Sequence, residues 1–326
     1  MKFAVFSLLA ACLSTPPRLD GETIFAVDVS NRLFTFESTA PGSPSFINGG
    51  APVAGLQAGE SLLAIDFRPV ATNSPQASSN GSLYGLGSSN RLYVINTATG
   101  AAVPVGVAGS FTLTGNTFGM DFNPATGLLG VVSDIGQNIR LDPFNATLVA
   151  TDNNLAYASG DSGFGLSPRI TGSAYTNNFG GAAQTTLYAV DFSRDSLVRQ
   201  GGINGVPSPP GGQLTTIGPI GLNFTEEVGF DISGVTGTAY ASLSSVVGPQ
   251  DPSSALYTVN LATGESLRVG SIGPGGGVAA FVTRDIAVPL GVAVPEPGGM
   301  GLLAAGLAII AFRRHRRFSA TSRTVP

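Results

Sequence analysis

Of 326 residues, 45 are Gly and 22 are Pro, 43% are hydrophobic and only 11% are charged, which suits many short strands joined by turns around an ample core and excludes disorder. Between residues 20 and 297, twenty acidic residues stand against nine arginines, roughly −11, so there is no basic face for nucleic acid and the acidity serves solubility. The one cysteine (Cys12), the one histidine (His315) and the one lysine (Lys2) all lie in the terminal segments. That removes disulfides, thiol nucleophiles, Ser-His-Asp triads, histidine-ligated zinc and Schiff-base lysines from the central region. Asp, Glu, Tyr, Ser, Arg and a bound metal are what remains for chemistry.

Residues 1–19 open with Lys2 and an apolar run from Phe3 to Leu13 before Pro16-Pro17, the order of a secretory signal peptide. Leu9-Ala-Ala-Cys12 also fits a lipobox, in which Cys12 would be lipidated; a chance cysteine after small residues is the competing reading.

The region 20–286 repeats itself, and repeats take precedence in assigning a fold. Ile24-Phe-Ala-Val-Asp-Val-Ser-Asn-Arg-Leu-Phe-Thr-Phe36 aligns without gaps to Leu83-Tyr-Gly-Leu-Gly-Ser-Ser-Asn-Arg-Leu-Tyr-Val-Ile95, each a strand, a turn at Ser-Asn-Arg and a strand. Leu92-Tyr-Val-Ile-Asn-Thr-Ala-Thr-Gly100 matches Leu256-Tyr-Thr-Val-Asn-Leu-Ala-Thr-Gly264, with Leu187-Tyr-Ala-Val-Asp-Phe192 a looser copy. Gly119-Met-Asp-Phe-Asn-Pro-Ala-Thr-Gly127 matches Gly229-Phe-Asp-Ile-Ser-Gly-Val-Thr-Gly237, and Ala64-Ile-Asp-Phe-Arg-Pro69 starts in the same way. In order these modules make a four-stranded antiparallel unit that cannot bury both faces alone but can stack radially.

An all-β propeller of about five four-stranded blades follows, with inner strands expected at 62–67, 118–122, 155–159, 228–232 and 278–282. Because the chain enters at Ile24 on what reads as a second strand, the strand at 278–282 is expected to complete the first blade and hide its edge. Gln213-Leu-Thr-Thr-Ile217 fits this scheme poorly and leaves a sixth blade open. A pair of β-sandwiches is the competing fold. The stretches 70–81 and 202–212 read as exposed loops.

After a linker at 287–293, Val294-Pro295-Glu296-Pro297 stops regular structure. Uncharged, mostly apolar residues 298–312 follow, then the basic cluster Arg313, Arg314, Arg316 and Arg317 and a tail at 318–326. This segment, 294–317, resembles the PEP-CTERM sorting signal, which implies an exosortase-type sorting enzyme as partner and an exported protein, membrane-anchored or displayed at the cell surface after processing. A helix over 298–312 spans only about 22 Å against a roughly 30 Å hydrocarbon core, a length suited to a segment that is processed. The tail is longer than the resemblance leads one to expect. The region upstream resembles the bacterial family called domain of unknown function 4394, through its Leu-Tyr-x-[IV]-[ND] strands, its Gly-x-Asp-[FI] starts and Ile170-Thr-Gly-Ser-Ala-Tyr-Thr-Asn-Asn178. That resemblance brings a propeller-like fold and no activity.

The recurring aspartates Asp28, Asp66, Asp121, Asp191 and Asp231 are the most suggestive polar residues. If Asp66, Asp121 and Asp231 line a central channel they can hold a hard cation such as Ca²⁺; if each caps the turn after it, no metal or other cofactor is implied. Repetition at equivalent places favours capping. Tyr84, Tyr93, Tyr188, Tyr240 and Tyr257 offer either a sugar-stacking surface or packing between blades, the latter favoured. Asp134, Glu226 and Glu227 have no spacing that marks an acid/base pair.

Two functions compete. One is a non-enzymatic surface module whose ligand the sequence does not specify, associated with extracellular polysaccharide. The other is a Ca²⁺-dependent propeller hydrolase of lactonase or glycan-cleaving type. Convergence of three carboxylates would favour the second. Oligomeric state is not legible in the sequence.

Overall fold

The Ser-Asn-Arg turns form as their composition requires. In this computed structural model, which describes residues 21–71, 74–245, 254–273 and 282–290, Asn31 and Asn90 adopt φ of 61° and 59°, the left-handed region that asparagine tolerates. Both side chains also reach the next repeat: Asn31 Oδ1 accepts the Leu62 amide at 2.9 Å and Asn90 Oδ1 the Leu113 amide at 2.8 Å. One short motif thus makes a hairpin and ties it to its successor.

Five antiparallel sheets result. The second holds β4 (Leu62–Phe67), β5 (Leu83–Gly87), β6 (Arg91–Ile95) and β7 (Ala102–Val105), reached after β1 (Thr23–Asp28), β2 (Leu33–Glu37) and β3 (Ala40–Phe46) of the first. The third contains β8 (Phe118–Phe122), β9 (Leu129–Ser133), β10 (Asn138–Asp142) and β11 (Thr147–Thr151). After a short β12 (Ala156–Tyr157) the fourth runs through β13 (Ile170–Tyr175), β14 (Leu187–Asp191), β15 (Ser196–Gln200) and β16 (Gln213–Pro219). The fifth comprises β17 (Phe224–Ile232), β18 (Ala239–Ser245), β19 (Ser254–Val259) and β20 (Ser266–Ser271). Finally β21 (Thr283–Ala287) pairs with β1, Val27 opposite Asp285, and supplies the innermost strand of the first sheet.

The innermost strands touch in a closed ring, β21 to β4, β8, β13, β17 and back to β21. Each sheet is apolar on both faces, and the core divides accordingly into five buried clusters, one at each boundary between blades. Tyr84 against Phe122, edge to face at 5.1 Å, is typical of the contacts across such a boundary. The fold is a five-bladed β-propeller whose first blade is closed by chain from both ends.

Three expectations are corrected. The closing strand is Thr283–Ala287, whereas 278–281 lie outside the described residues. The apolar Ala279-Ala-Phe-Val282 drew the assignment away from a strand carrying Arg284 and Asp285, two charges that the propeller axis accommodates. The inner strand of the fourth blade is Ile170–Tyr175, while of 155–159 only Ala156–Tyr157 is strand, adding in parallel to the outer edge at β16. Gln213–Pro219 is that blade's own outer strand, so no sixth blade forms among the described residues.

Candidate functional site

The Gly-x-Asp-[FI] repeat builds the axis. Its glycine lies where neighbouring inner strands come closest: a Cβ on Gly119 would sit 2.8 Å from the Ser173 amide nitrogen, and one on Gly229 2.6 Å from that of Ile286. Two residues on, the aspartate turns toward the next blade. Asp66 accepts the Phe67 amide on Oδ1 and the Phe122 amide of the third blade on Oδ2 (2.6 and 2.8 Å). Asp231 takes Ile232 and Val288 at 2.6 Å each. Asp285, at the matching place in β21, takes Ile286 and Ile65 at 2.9 and 2.8 Å. Asp121 accepts from Tyr175 of the fourth blade. The carboxylates latch one inner strand to the next, a job that neither the capping nor the channel reading foresaw.

In the fourth blade Ala174 stands where the others carry aspartate, buried in the apolar cluster that faces the fifth blade. The remaining four acids are all buried. Asp66, Asp121 and Asp231 each bring a ligand oxygen to within 4.8 Å of the others', which realises the convergence expected of the channel reading. Burial, then the charge of Asp231, pushes the Asp66 carboxyl well above the usual range; burial, then Asp66 and Asp231, does the same to Asp121. Burial raises Asp231 to about 6 and lifts Asp285 well above its ordinary value. One oxygen of the set, Asp121 Oδ1, has no hydrogen-bond partner. The Phe122 amide, which by analogy with Asp66, Asp231 and Asp285 would serve it, is bound to Asp66.

At the end of the axis where the inner strands begin, a funnel of about 170 Å³ opens. Every inner strand lends it a residue: Leu63, Phe118, Thr171, Val228 and Arg284. Glu227 sits 3.5 Å from Arg284, and its carboxyl is raised by burial against the opposing pull of that arginine. The Thr171 hydroxyl is 2% exposed and finds no protein partner.

The other suggestive residues do structural work. Asp28 Oδ1 accepts the amides of Ser30 and Arg32, and Asp191 Oδ1 those of Ser193 and Arg169, so these two cap turns as expected. Tyr84, Tyr93, Tyr240 and Tyr257 are buried and Tyr188 packs on a core cluster, which leaves no stacking surface. Asp134 is separated in role from Glu226 and Glu227: it accepts the Asn116 amide at 2.8 Å behind the funnel wall, while the two glutamates line the cavity. Sequence reasoning missed Asp285, Arg284 and Thr171. The ending Arg284-Asp285-Ile286 carried the same Asp-Ile signal as Asp231-Ile232, hidden by the misplaced closing strand. Cys12, the residues 294–297 and the arginines at 313–317 lie outside the described residues.

Residues 32–282 match the family described as domain of unknown function DUF4394. The chain belongs to that family. Residues 293–317 match the PEP-CTERM protein-sorting motif, so this DUF4394 propeller is an exported protein, anchored to the membrane or displayed at the surface after processing. Among the described residues no helix is long and apolar enough to cross a membrane, and 298–312 lie beyond them. No curated protein matches the chain. Among solved structures, similar folds occur in PorZ, a surface component of the type-IX secretion system of Porphyromonas gingivalis (15% identity, 76% of this chain and 28% of that one, TM-score 0.35). Others are a protein of unknown function from Bacteroides thetaiotaomicron (12%, 82% and 64%, TM-score 0.42) and the Dos1 propeller (12%, 76% and 61%, TM-score 0.38). The DUF4394 chain spans less than two thirds of each, and likeness at this level carries nothing about chemistry.

Proposed function

We propose that the DUF4394 propeller is a non-enzymatic binding module that presents its axial funnel outside the cell to a hydroxyl-rich ligand, such as a saccharide unit of extracellular polysaccharide. The observation that carries this reading is the unpartnered, buried Thr171 hydroxyl in a polar cavity to which all five inner strands contribute. A buried hydroxyl without a partner is costly and marks a place where a ligand group or water completes the bonding. Around it the funnel offers the donors of Arg284 and the acceptors of Glu226 and Glu227, the mixture that polyols use. In this reading residues 1–19 are a secretory signal and 298–312 a membrane segment that an exosortase-type enzyme handles.

A second reading, a metal-dependent hydrolase, draws on the convergence of Asp66, Asp121 and Asp231. Against it, those carboxylates are 2% exposed, are bound to backbone amides, and do not line the funnel. Titration calorimetry of the full-length protein with neutral and uronic oligosaccharides tests the binding reading. Thr171→Val and Glu227→Gln are expected to weaken binding about tenfold each, the loss of one good hydrogen bond to a buried or charged group, with Thr171→Val melting no lower than wild type because it removes an unpartnered hydroxyl. Binding indifferent to both variants, or turnover of the oligosaccharide, would sink it.

A further inference from the structure

The axis poses an electrostatic problem of its own. Asp66, Asp121 and Asp231 bring oxygens within 4.8 Å of one another, Asp285 stands alongside, and all four are buried. The charges that act on them are other acids: Asp231 and then Asp285 on Asp66, Asp66, Asp231 and then Asp285 on Asp121, and Glu22 on Asp231. Tyr175 lies against Asp121 and is neutral. No arginine makes an ion pair with any of the four: among the described residues the pairs engage Asp28, Asp152, Asp134 and Glu227. Backbone amides satisfy one lone pair on each oxygen they reach, but they carry no net charge to set against several carboxylates.

Two independent observations show that this cluster is incomplete. Asp121, 2% exposed, leaves Oδ1 without any partner, a rare condition for a buried charged oxygen. Beside it lies a cavity of about 20 Å³ between the third and fourth blades, lined by Asp121, Ser173 and Tyr175 and also by Arg140, whose guanidinium is engaged by Asp152, with room for one water-sized occupant. It adjoins the blade in which Ala174 replaces the ring aspartate, so the ring's one missing carboxylate and its one unpartnered oxygen belong to neighbouring strands.

We propose that the propeller axis holds one calcium ion on the carboxylates of Asp66, Asp121 and Asp231, with Asp121 Oδ1 as its open ligand. A cation with oxygens at about 2.3–2.6 Å bridges ligands up to roughly 5 Å apart, whereas the shorter bonds of Mg²⁺, about 2.1 Å, span less. Carboxylate oxygens that each accept one amide retain a lone pair for the ion. The role is structural: the ion joins the inner strands of the second, third and fifth blades, and it offsets carboxylate charge that protons would otherwise have to remove. Export places the domain where calcium is plentiful, and sites in extracellular modules typically bind at about 10⁻⁴–10⁻³ M.

The test uses the full-length protein, stripped with EGTA and dialysed. Millimolar CaCl₂ is expected to raise the melting temperature by several degrees along a saturable curve, with MgCl₂ and ionic-strength-matched NaCl giving much less. Equilibrium dialysis against millimolar CaCl₂ should find about one calcium bound per chain in excess of the buffer. Asp121→Asn, which keeps an acceptor for the Tyr175 amide, should lose both effects. If that variant does not fold, the wild-type response decides alone. A rise no larger than the salt and magnesium controls, with no calcium bound, overturns the proposal and leaves shared protons as the means by which the carboxylates coexist.

Discussion

Asp28 and Asp66 occupy almost the same sequence, Ala26-Val-Asp-Val29 and Ala64-Ile-Asp-Phe67, and both side chains are buried. Their surroundings are opposite. Asp28 ends the second strand of its blade, faces an exposed turn, and meets the Arg32 guanidinium at 2.5 Å. Asp66 ends an innermost strand, meets two amides from two different blades, and has only other carboxylates for company. What separates them is position within the blade, which a local pattern does not encode. A strand ending in aspartate marks a turn cap when it is second in the sheet and an inter-blade latch when it is first.

Removing the two side chains should therefore have unequal consequences. Asp66→Ala leaves the buried amides of Phe67 and Phe122 without their acceptor, at about 1–3 kcal/mol each. Relief of repulsion from Asp121 and Asp231 offsets part of this. We expect a net loss of about 2–4 kcal/mol, a fall in melting temperature on the order of 10 °C, measured by thermal or denaturant unfolding. An Asp66→Ala protein as stable as wild type would show that the latch contributes nothing.

A smaller effect distinguishes the two environments by pH. Asp285 is held above its ordinary pKa of 3.8 by burial, so the folded protein binds that proton more tightly than the unfolded chain. Its contribution is full below about pH 4 and is lost as pH rises through the folded value. Glu60 works the other way: burial raises its carboxyl, but hydrogen bonds from Ser89, Tyr93 and the Gln57 amide outweigh that and lower it, so its contribution is lost as pH falls. In EGTA, wild type should lose melting temperature relative to Asp285→Asn as pH rises above about 4, the ordinary carboxyl value. Parallel curves would mean that the axis does not discriminate between charged and neutral forms.

Much of this architecture was legible because the physics is local and repeated. The Leu-Tyr strands, the Ser-Asn-Arg turns and the Gly-x-Asp starts each recur, and 62–67 and 118–122 coincide with β4 and β8. The places where the reading failed are those where a long-range partner overrides the local pattern. Thr283–Ala287 looks too polar for an innermost strand until Asp285 is seen to receive the Ile65 amide from 220 residues away. The fourth blade hid its inner strand because Ala174 had lost the aspartate that marks the others. The funnel was invisible for a related reason: Thr171, Glu227 and Arg284 are distant in sequence and meet only when the ring closes.

The smallest effect belongs to Asp28. Asp28→Ala frees the amides of Ser30 and Arg32, but Ser30 is exposed, so water replaces most of what the carboxylate supplied. The ion pair it breaks involves an Arg32 side chain that is 34% exposed and remains 5.2 Å above the Phe46 ring. Half-solvated pairs of this kind contribute about 0.2–1 kcal/mol, and an exposed cap about 1. The expected loss is about 1–2 kcal/mol, diminished at high salt because part of it is coulombic. The position of Asn31 tightens the comparison further, since its left-handed φ and its bond to the Leu62 amide both survive the change at Asp28. A loss from Asp28→Ala as large as that from Asp66→Ala would mean that the turn, rather than the axis, governs how the blades are joined, and the contrast between the two aspartates would then have no energetic content.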